Sequence, residues 1–339
     1  MKRDSTDKLR KSINKIDEEM LNLLSKRQHL AKEVGTLKKS LNIPIFDKGR
    51  EEEILNKISK RAKKLELNEE FVEEIFSAIF KNSRASQQRQ FKNLSCKIKM
   101  VGLIGFGRFG KLIVKHLSGD FKFYVYDKAN KKEEIRKSYA TPSSLEEVCE
   151  KEIVILAVPI SRMERTLIKI KNLLKRNVLV VDVCSVKEYP VKLMKNILPK
   201  NVQILATHPL FGPDTASDSL EGRKIALCKV RVSSNLHSQI KRFLESKGLL
   251  VIETTPDKHD REIAKSLVLT HLIGRALIDM KASNVNIDTR GYRDLMRILN
   301  TVKNDVWQLF EDMNRYNKHS KKVRGKFVKS VSRINKKLN

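Results

Sequence analysis

The sequence predicts a chain of mixed class: a three-helix all-α segment, a doubly wound α/β segment on a parallel sheet, and a second all-α segment. Three observations predict it. Apolar residues from Leu9 to Leu37 recur at three- and four-residue spacing, five short apolar runs between Lys99 and Thr207 alternate with helical stretches, and such runs stop after Thr255. The expected boundaries are residues 1–92, a linker at 93–98, residues 99–255 and residues 256–339, the last with one helix from His259 to Met280 and a long one around Tyr292 to Lys318.

The first segment opens with one long amphipathic helix carrying Leu9, Ile13, Ile16, Met20, Leu23, Leu30, Val34 and Leu37 on one stripe. Asn42, Pro44 and Asp47 interrupt it, and Asp47 is the expected N-cap of a second helix with Ile54, Leu55 and Ile58. A third helix is expected from about Asn68 to Gln90, through Phe71, Val72, Ile75, Phe76 and Ile79. The long stripe has too little of its own chain to cover it, which predicts a dimer. Arg27 and Lys38, eleven residues apart, return to one helix face about 16 Å apart along the axis. Arg10 lies about 100° round from them and is placed to reach a partner's pocket instead. Ser83 and Gln87, at i and i+4, share a face of the third helix.

The second segment begins with VGLIGFGRFGKLIVKHL, Val101 to Leu117. Gly105, Gly107 and Gly110 stand in G-x-G-x-x-G spacing between an apolar β-type run and a helical one, with Phe106, Arg108 and Phe109 between them. The first glycine suits a tight turn, the second a close approach of backbone to pyrophosphate, and the third close packing of helix on strand. This is the start of a Rossmann-type fold. The next strand ends at Asp127, where an acid accepts hydrogen bonds from ribose hydroxyls and repels a 2′-phosphate, so NAD is the expected cofactor. Lys128, Lys131 and Lys132 keep NADP open. Two later strands, VLVVDV and VQILAT, end just before Ser185 with Lys187 and just before His208. Polar groups at the carboxyl ends of such strands face the ligand, and a histidine there can hold a hydroxyl and take its proton as hydride leaves.

Composition narrows the remaining classes. The chain has 339 residues and a formal charge of +30, and the tail from Arg315 to Asn339 contributes ten Lys or Arg and no acid. Only 6% of residues are aromatic, and the basic residues outside the tail are spread along the chain without a regular aromatic interleaving, so a solvated lysine-rich surface that attracts small anions is expected rather than nucleic-acid binding. No run approaches the roughly 18 apolar residues of a membrane span, and a cytoplasmic location is expected. Cys96, Cys149, Cys184 and Cys228 lie too far apart in sequence for a C-x-x-C pair, so no metal site or disulfide framework is expected.

THPLFGPD, with VDVCSVK before it and KHDREIAKSLVLTH (Lys258–His271) after it, resembles the prephenate/arogenate dehydrogenase family, as does RILNTVKNDVWQLFEDMN at Arg297–Asn314. The resemblance covers roughly residues 98–318. It implies oxidative decarboxylation: hydride passes from ring carbon 4 to the nicotinamide, the ring carboxylate leaves as carbon dioxide, and the ring becomes aromatic. His208 matches the histidine that hydrogen-bonds the ring hydroxyl, Ser185 the serine that supports it, and His271 the histidine of the helical segment. An arginine of that segment is expected to grip a substrate carboxylate: Arg297 by its spacing to Trp307 and Asn314, with Arg290 and Arg293 as alternatives. Prephenate gives 4-hydroxyphenylpyruvate. Arogenate, which carries an ammonium in place of the keto group, would give tyrosine; an acid such as Asp214, Asp218 or Glu221 near the side chain would favour it.

LRKSINKIDEEMLNLLSKRQHLAKEVGTLKK, IPIFDKGREEEIL and IFSAIFKNSRASQQRQ resemble the all-helical chorismate mutases. That enzyme makes prephenate, so the two resemblances together match the bifunctional chorismate mutase/prephenate dehydrogenase arrangement, with helical dimerisation at both ends. The mutase resemblance implies that Arg10 and Arg27 bind the substrate carboxylates and that Lys38 and Gln87 donate to the ether oxygen. Glu51 takes the ring hydroxyl, and Asp47, Arg50 and Ser83 complete the pocket. The pericyclic step needs no nucleophile, only a held conformer and stabilised charge. A binding protein that keeps these folds for regulation or nucleic acid is the alternative from another class.

Overall fold

The structure, a computed structural model, describes residues 2–41, 48–91 and 99–338. The expected cap Asp47, the linker at 93–98 and Cys96 lie outside the described residues. Contacts divide the chain into two compact units, residues 1–95 with 241–250, and residues 96–240 with 251–339.

Unit one is built on α1 (Lys2–Ser40), α2 (Lys48–Lys64) and α3 (Glu69–Phe91). The periodic stripe makes α1 a single helix of 39 residues, about 58 Å long at 1.5 Å per residue. It packs against α3, and α3 against α2. Among the described residues of these three helices, Ala62, Val72 and Phe80 are the buried apolar side chains, while Leu9, Ile13, Ile16, Leu23 and Leu37 all remain more than half exposed. The short helices thus cover only part of the long one.

Unit two carries a sheet in the order β3-β2-β1-β4-β5-β6-β7-β8. Its strands are β1 (Met100–Ile104), β2 (Lys122–Tyr126), β3 (Thr141–Pro142), β4 (Ile153–Leu156), β5 (Leu179–Asp182), β6 (Gln203–Pro209), β7 (Lys224–Arg231) and β8 (Leu250–Glu253). The first six pair in parallel, which places the ends of β1, β5 and β6 on one carboxyl edge. The helices between them are α4 (Arg108–Leu117), α5 (Lys132–Lys137), α6 (Leu145–Cys149), α7 (Ile160–Ile170), α8 (Glu188–Ile197) and α9 (Ser234–Ser246). Val154, Leu156, Met163, Leu167, Val180, Met194 and Ile204 fill the core between sheet and helices. Within it, burial pushes the Cys149 thiol to about 12 and the Cys228 thiol to about 11, so both stay protonated and inert. β7, which runs antiparallel to β6, and β8 were not among the expected strands.

The C-terminal part is helical: α10 (Pro256–Lys265), α11 (Leu267–Asp279), α12 (Arg290–Val302), α13 (Trp307–Arg315) and α14 (Ser320–Asn335). Two expected helices are broken. The one expected over residues 259–280 divides at Ser266, whose φ and ψ are −100° and −83° and whose hydroxyl bonds back to the Glu262 carbonyl at 2.9 Å. The one around residues 292–318 divides at Lys303–Val306, where Asp305 closes a turn on Val302 and Val306 is extended. Two buried aspartates join these helices to the sheet layer. Neither α7 nor α8 has a side-chain cap of its own. Asp312 of α13 accepts from the Ser161 amide at 3.1 Å, and Asp260 of α10 from the Lys187 and Glu188 amides at 2.7 and 2.9 Å.

Candidate active sites

The glycine loop leaves β1 through Gly105, whose φ of +101° disfavours any residue with a Cβ. A Cβ on Gly105 would stand 2.4 Å from the Ala157 carbonyl, and one on Gly110 2.3 Å from the Gly105 carbonyl. A Cβ on Gly107 would meet nothing within 4 Å. Gly105 and Gly110 therefore hold the turn, whereas Gly107 faces open space at the uncapped N-terminus of α4, where free amides suit a pyrophosphate. Asp127 accepts from the Phe106 amide at 2.7 Å and the Ala129 amide at 2.9 Å, and Lys131 Nζ donates to the Phe106 carbonyl at 2.9 Å. Burial pushes the Asp127 carboxyl up, but those two amides and Lys131 outweigh it and hold it below the usual range. An anion at the end of β2 beside an open glycine cradle is the arrangement that fits an NAD-type dinucleotide. Phe106 is wholly buried, and Phe109 packs on Phe211 with ring centroids 6.3 Å apart. Arg108 turns across the loop to Asp214 at 2.6 Å and to the Asn304 carbonyl at 2.8 Å.

On the same edge, His208 is the penultimate residue of β6. Its Nδ1 lies 2.9 Å from His259 Nε2, and His259 Nδ1 lies 2.8 Å from Asp260 Oδ1. All three are buried. His208 is held well below the ordinary histidine range, first by burial and then by His259 and Lys187, so its imidazole is neutral and able to accept a proton. Lys187 is itself fully buried and donates to Asp182 and to the Thr207 carbonyl, which ties the ends of β5 and β6 together. Ser185 is buried in the same turn, and its hydroxyl has no hydrogen-bond partner among the described residues. His271 of α11 is buried 3.8 Å from Asp305, which also contacts Arg108 at 3.3 Å. Arg297 stands apart. It is 80% exposed and paired with Asp294 on its own helix at 2.9 Å, because Met296 and Val302 take the inward face of α12. Arg293 likewise pairs with Asp288 at 3.0 Å, and Arg290 is exposed at the first position of α12.

In unit one, Arg27 of α1 donates to Ser83 of α3 at 2.5 Å and lies 5.4 Å from the centre of the Phe80 ring. Burial lowers its guanidinium, while the charge of Glu51 raises it, so Arg27, Ser83 and Glu51 share one pocket. Gln87 is buried against Gly35 of α1, with its side-chain oxygen unpartnered among the described residues. Lys38 is half-buried further along α1. Arg10, 73% exposed and 3.6 Å from Asp7, and Arg50, paired with Glu53 at 2.9 Å, stand outside this group.

Residues 9–88 match the family described as chorismate mutase type II. The chorismate mutase of Methanocaldococcus jannaschii is 34% identical over 91 residues, 27% of this chain and 92% of its own length. The chain belongs to the chorismate mutase family. Residues 122–253 match the nucleotide-binding domain of prephenate dehydrogenase, and residues 276–339 a domain described as TYRAAT1-like, C-terminal. Two arogenate dehydrogenases of Arabidopsis thaliana are each 31% identical, over 64% and 67% of this chain, and the chain spans 36% and 65% of their lengths. A T-protein of Enterobacter agglomerans is 27% identical over 283 residues, 83% of this chain and 72% of its own. That is more than residues 96–339 alone could supply. The structure of an Aquifex aeolicus prephenate dehydrogenase, in complex with hydroxyphenyl propionate and NAD+, superposes with a TM-score of 0.57 at 25% identity, covering 73% of this chain and 92% of that one.

Three residues at these sites lie inside the motifs that carry the resemblances but had no role assigned from sequence. Arg84 holds Glu51 in the mutase module. His259 and Asp260 stand behind His208 in the dehydrogenase module. Only the pairing of His259 with Asp260 as neighbours gave a signal, since fifty-one residues separate His259 from His208.

Proposed function

We propose that the chain is a bifunctional enzyme of tyrosine biosynthesis that converts chorismate to prephenate and prephenate, with NAD, to 4-hydroxyphenylpyruvate. The observation that carries it is the pairing of one mutase pocket with a buried neutral histidine on the sheet edge that also bears the glycine cradle. We take residues 1–92, 99–255 and 256–339 as the mutase, cofactor and helical domains.

In the mutase, Arg27 binds a substrate carboxylate, Ser83 fixes its guanidinium, and Lys38 and Gln87 donate to the ether oxygen as its bond breaks. Arg10, Asp47, Arg50 and Glu51 complete the pocket, with Arg10 serving the partner's pocket across a homodimer. The exposed stripe of α1 supports that dimer. In the dehydrogenase, Gly105 to Gly110 and Asp127 hold the dinucleotide. When bound, the dinucleotide would supply the hydride acceptor. His208 accepts a hydrogen bond from the ring hydroxyl and draws its proton, Ser185 supports that contact, and His271 lines the helical side. Arg297 is the proposed carboxylate clamp, reaching a site other than that of its own protomer because its own helix turns it outward. NADP remains the second cofactor reading through Lys131 at the loop. Small anionic substrates and a second copy are the proposed partners, rather than nucleic acid or membrane. No helix among the described residues is long and apolar enough to cross a membrane. The buried free thiols Cys149, Cys184 and Cys228 suit a reducing compartment, and we place the enzyme in the cytoplasm.

Arogenate is the second substrate reading. Asp214, six residues beyond His208, is one of three acids of the β6–β7 loop, with Asp218 and Glu221, and it is engaged by Arg108 and Asn304 rather than turned to a substrate ammonium. Chorismate and NAD supplied together should give NADH only after a lag in which prephenate accumulates. Prephenate alone should remove the lag, and a purified chain that makes no NADH from chorismate, prephenate or arogenate would defeat the proposal. Replacing His208 by Asn should lower dehydrogenase kcat by about 10²- to 10⁴-fold and leave chorismate turnover intact.

A further inference from the structure

We propose that His259 is a positioning residue for the dehydrogenase reaction: backed by Asp260, it keeps the ring proton of His208 on Nδ1 and leaves the Nε2 lone pair for the substrate hydroxyl. What His208 does rests on the reading above. How its ring is held does not.

The direction of each hydrogen bond follows from the groups at the far end. The amides of Lys187 and Glu188 open α8, which has no side-chain cap, and an amide can only donate. They donate to Asp260 Oδ1 at 2.7 Å and Oδ2 at 2.9 Å, so the carboxylate is the acceptor, at the positive end of a ten-residue helix. His259 Nδ1 stands 2.8 Å from the same Oδ1 and must therefore donate. A neutral imidazole has one donor and one acceptor, so His259 Nε2 accepts. Its neighbour at 2.9 Å is His208 Nδ1, which must donate in turn. The only lone pair left on the His208 ring is on Nε2.

An unrestrained neutral imidazole populates both tautomers, and the bond made by one nitrogen sets the state of the other. Here that bond is fixed at both ends, because the two rings meet at 71° with centroids 5.0 Å apart and are 5% and 4% exposed. A proton added to the pair makes His208 Nε2 a donor: directly if His208 takes it, or by reversal of the bond between the rings if His259 carries the charge. The groups around the pair oppose this. Lys187 carries its charge on the sheet side, Ala226 of β7 faces His208 with no polar side chain, and burial removes water. His208 comes from β6 and the two residues behind it from α10, so the base is complete only where the helical part packs on the sheet.

The test uses the full chain labelled with ¹⁵N-histidine, with long-range proton–nitrogen NMR and the His208 signals assigned by their loss in His208→Asn. The wild type should show the proton on Nδ1 of His208. His259→Asn keeps the contact to Asp260 but is too short to reach His208, and His259→Leu removes both contacts; each should release the tautomer. His259→Gln, whose amide oxygen reaches the place of Nε2, should restore it. In parallel, the Asn and Leu changes should lower kcat about 10- to 100-fold with KM within about threefold, and the Gln change should recover most of the loss. A wild-type proton on Nε2, or an unchanged tautomer and kcat in both loss variants, would overturn the proposal. If the wild type oxidised neither prephenate nor arogenate while the NMR pattern held, the assigned reaction would fail and the relay would stand.

Discussion

Arg84 Nη1 lies 2.5 Å from both carboxylate oxygens of Glu51, with the two side chains only 15% and 24% exposed. Glu51 also acts on the charge of Arg27, so two guanidinium groups compete for one carboxylate. Without Arg84, Glu51 would turn to Arg27 and occupy the cation proposed to bind substrate. Arg84→Met should therefore raise KM for chorismate about tenfold, equivalent to about 1.4 kcal/mol, with a smaller change in kcat. A double-mutant cycle with Glu51→Gln should show coupling of about 1 kcal/mol or more in kcat/KM. Additive effects would mean that the pair is structural only.

Gly35 decides how closely α1 approaches Gln87. A Cβ at that position would fall 2.8 Å from Gln87 Cγ and 3.2 Å from its Cα, too near the backbone for a rotamer change to relieve. Alanine gains about 1 kcal/mol of helix propensity but meets an overpacking cost of about 1–3 kcal/mol. Gly35→Ala should leave thermal stability little changed or slightly lower, and should cut mutase kcat about tenfold or more by displacing the Gln87 amide. Unchanged mutase kinetics would show that Gln87 is not where the reaction needs it.

The three glycines of the nucleotide loop should separate in two assays. Gly105→Ala and Gly110→Ala each drive a Cβ to within 2.4 Å of a carbonyl oxygen, and should lower the melting temperature of the second unit. Gly107→Ala has open space and should fold with near-normal stability, yet bind NAD about 10-fold or more weaker, because the methyl group occupies the approach of the pyrophosphate. Calorimetry and NAD titration would read the two effects independently.

Buried histidines make stability depend on pH. Burial and then Arg275 lower His271 to about 4, and Asp305 at 3.8 Å does not reverse this because burial pushes its own carboxyl up. His208 is shifted in the same direction. Both groups bind a proton more readily when unfolded, so their contribution is complete above about pH 6.5 and is lost as pH falls below that, with the loss for His271 complete near pH 4. For His271 the loss is roughly 3 kcal/mol at about 1.4 kcal/mol per unit, partly offset by Asp305, whose sign is opposite. Urea unfolding at pH 7 and pH 4.5 should show the decline, and His271→Gln should flatten it.

The sequence exposed whatever was periodic or local. The stripe of α1, the glycine loop and the strands ending at Asp127, Asp182 and His208 were legible because each is written in adjacent residues. The break at Ser266 was hidden, since its hydroxyl bonds back to the Glu262 carbonyl inside an otherwise continuous apolar pattern. β7 escaped because pairing direction is a property of the sheet. Arg84 and His259 were invisible as site residues for the same reason: their partners, Glu51 and His208, are distant in sequence. Arg297 was chosen by spacing along α12, but spacing alone did not say which way the helix turns it.

The long α1 helix carries a further consequence. A rod about 58 Å long that leaves its greasy edge wet invites a cover, and the second copy proposed above would be held there by mass action. As the protein is diluted, isomerisation of chorismate should fade along a binding curve, steeper than simple proportionality to protein, because the proposed role of Arg10 is in a neighbour's pocket. A mixed pair, one chain lacking Arg10 and the other lacking Arg27, should then recover at most one working pocket out of two.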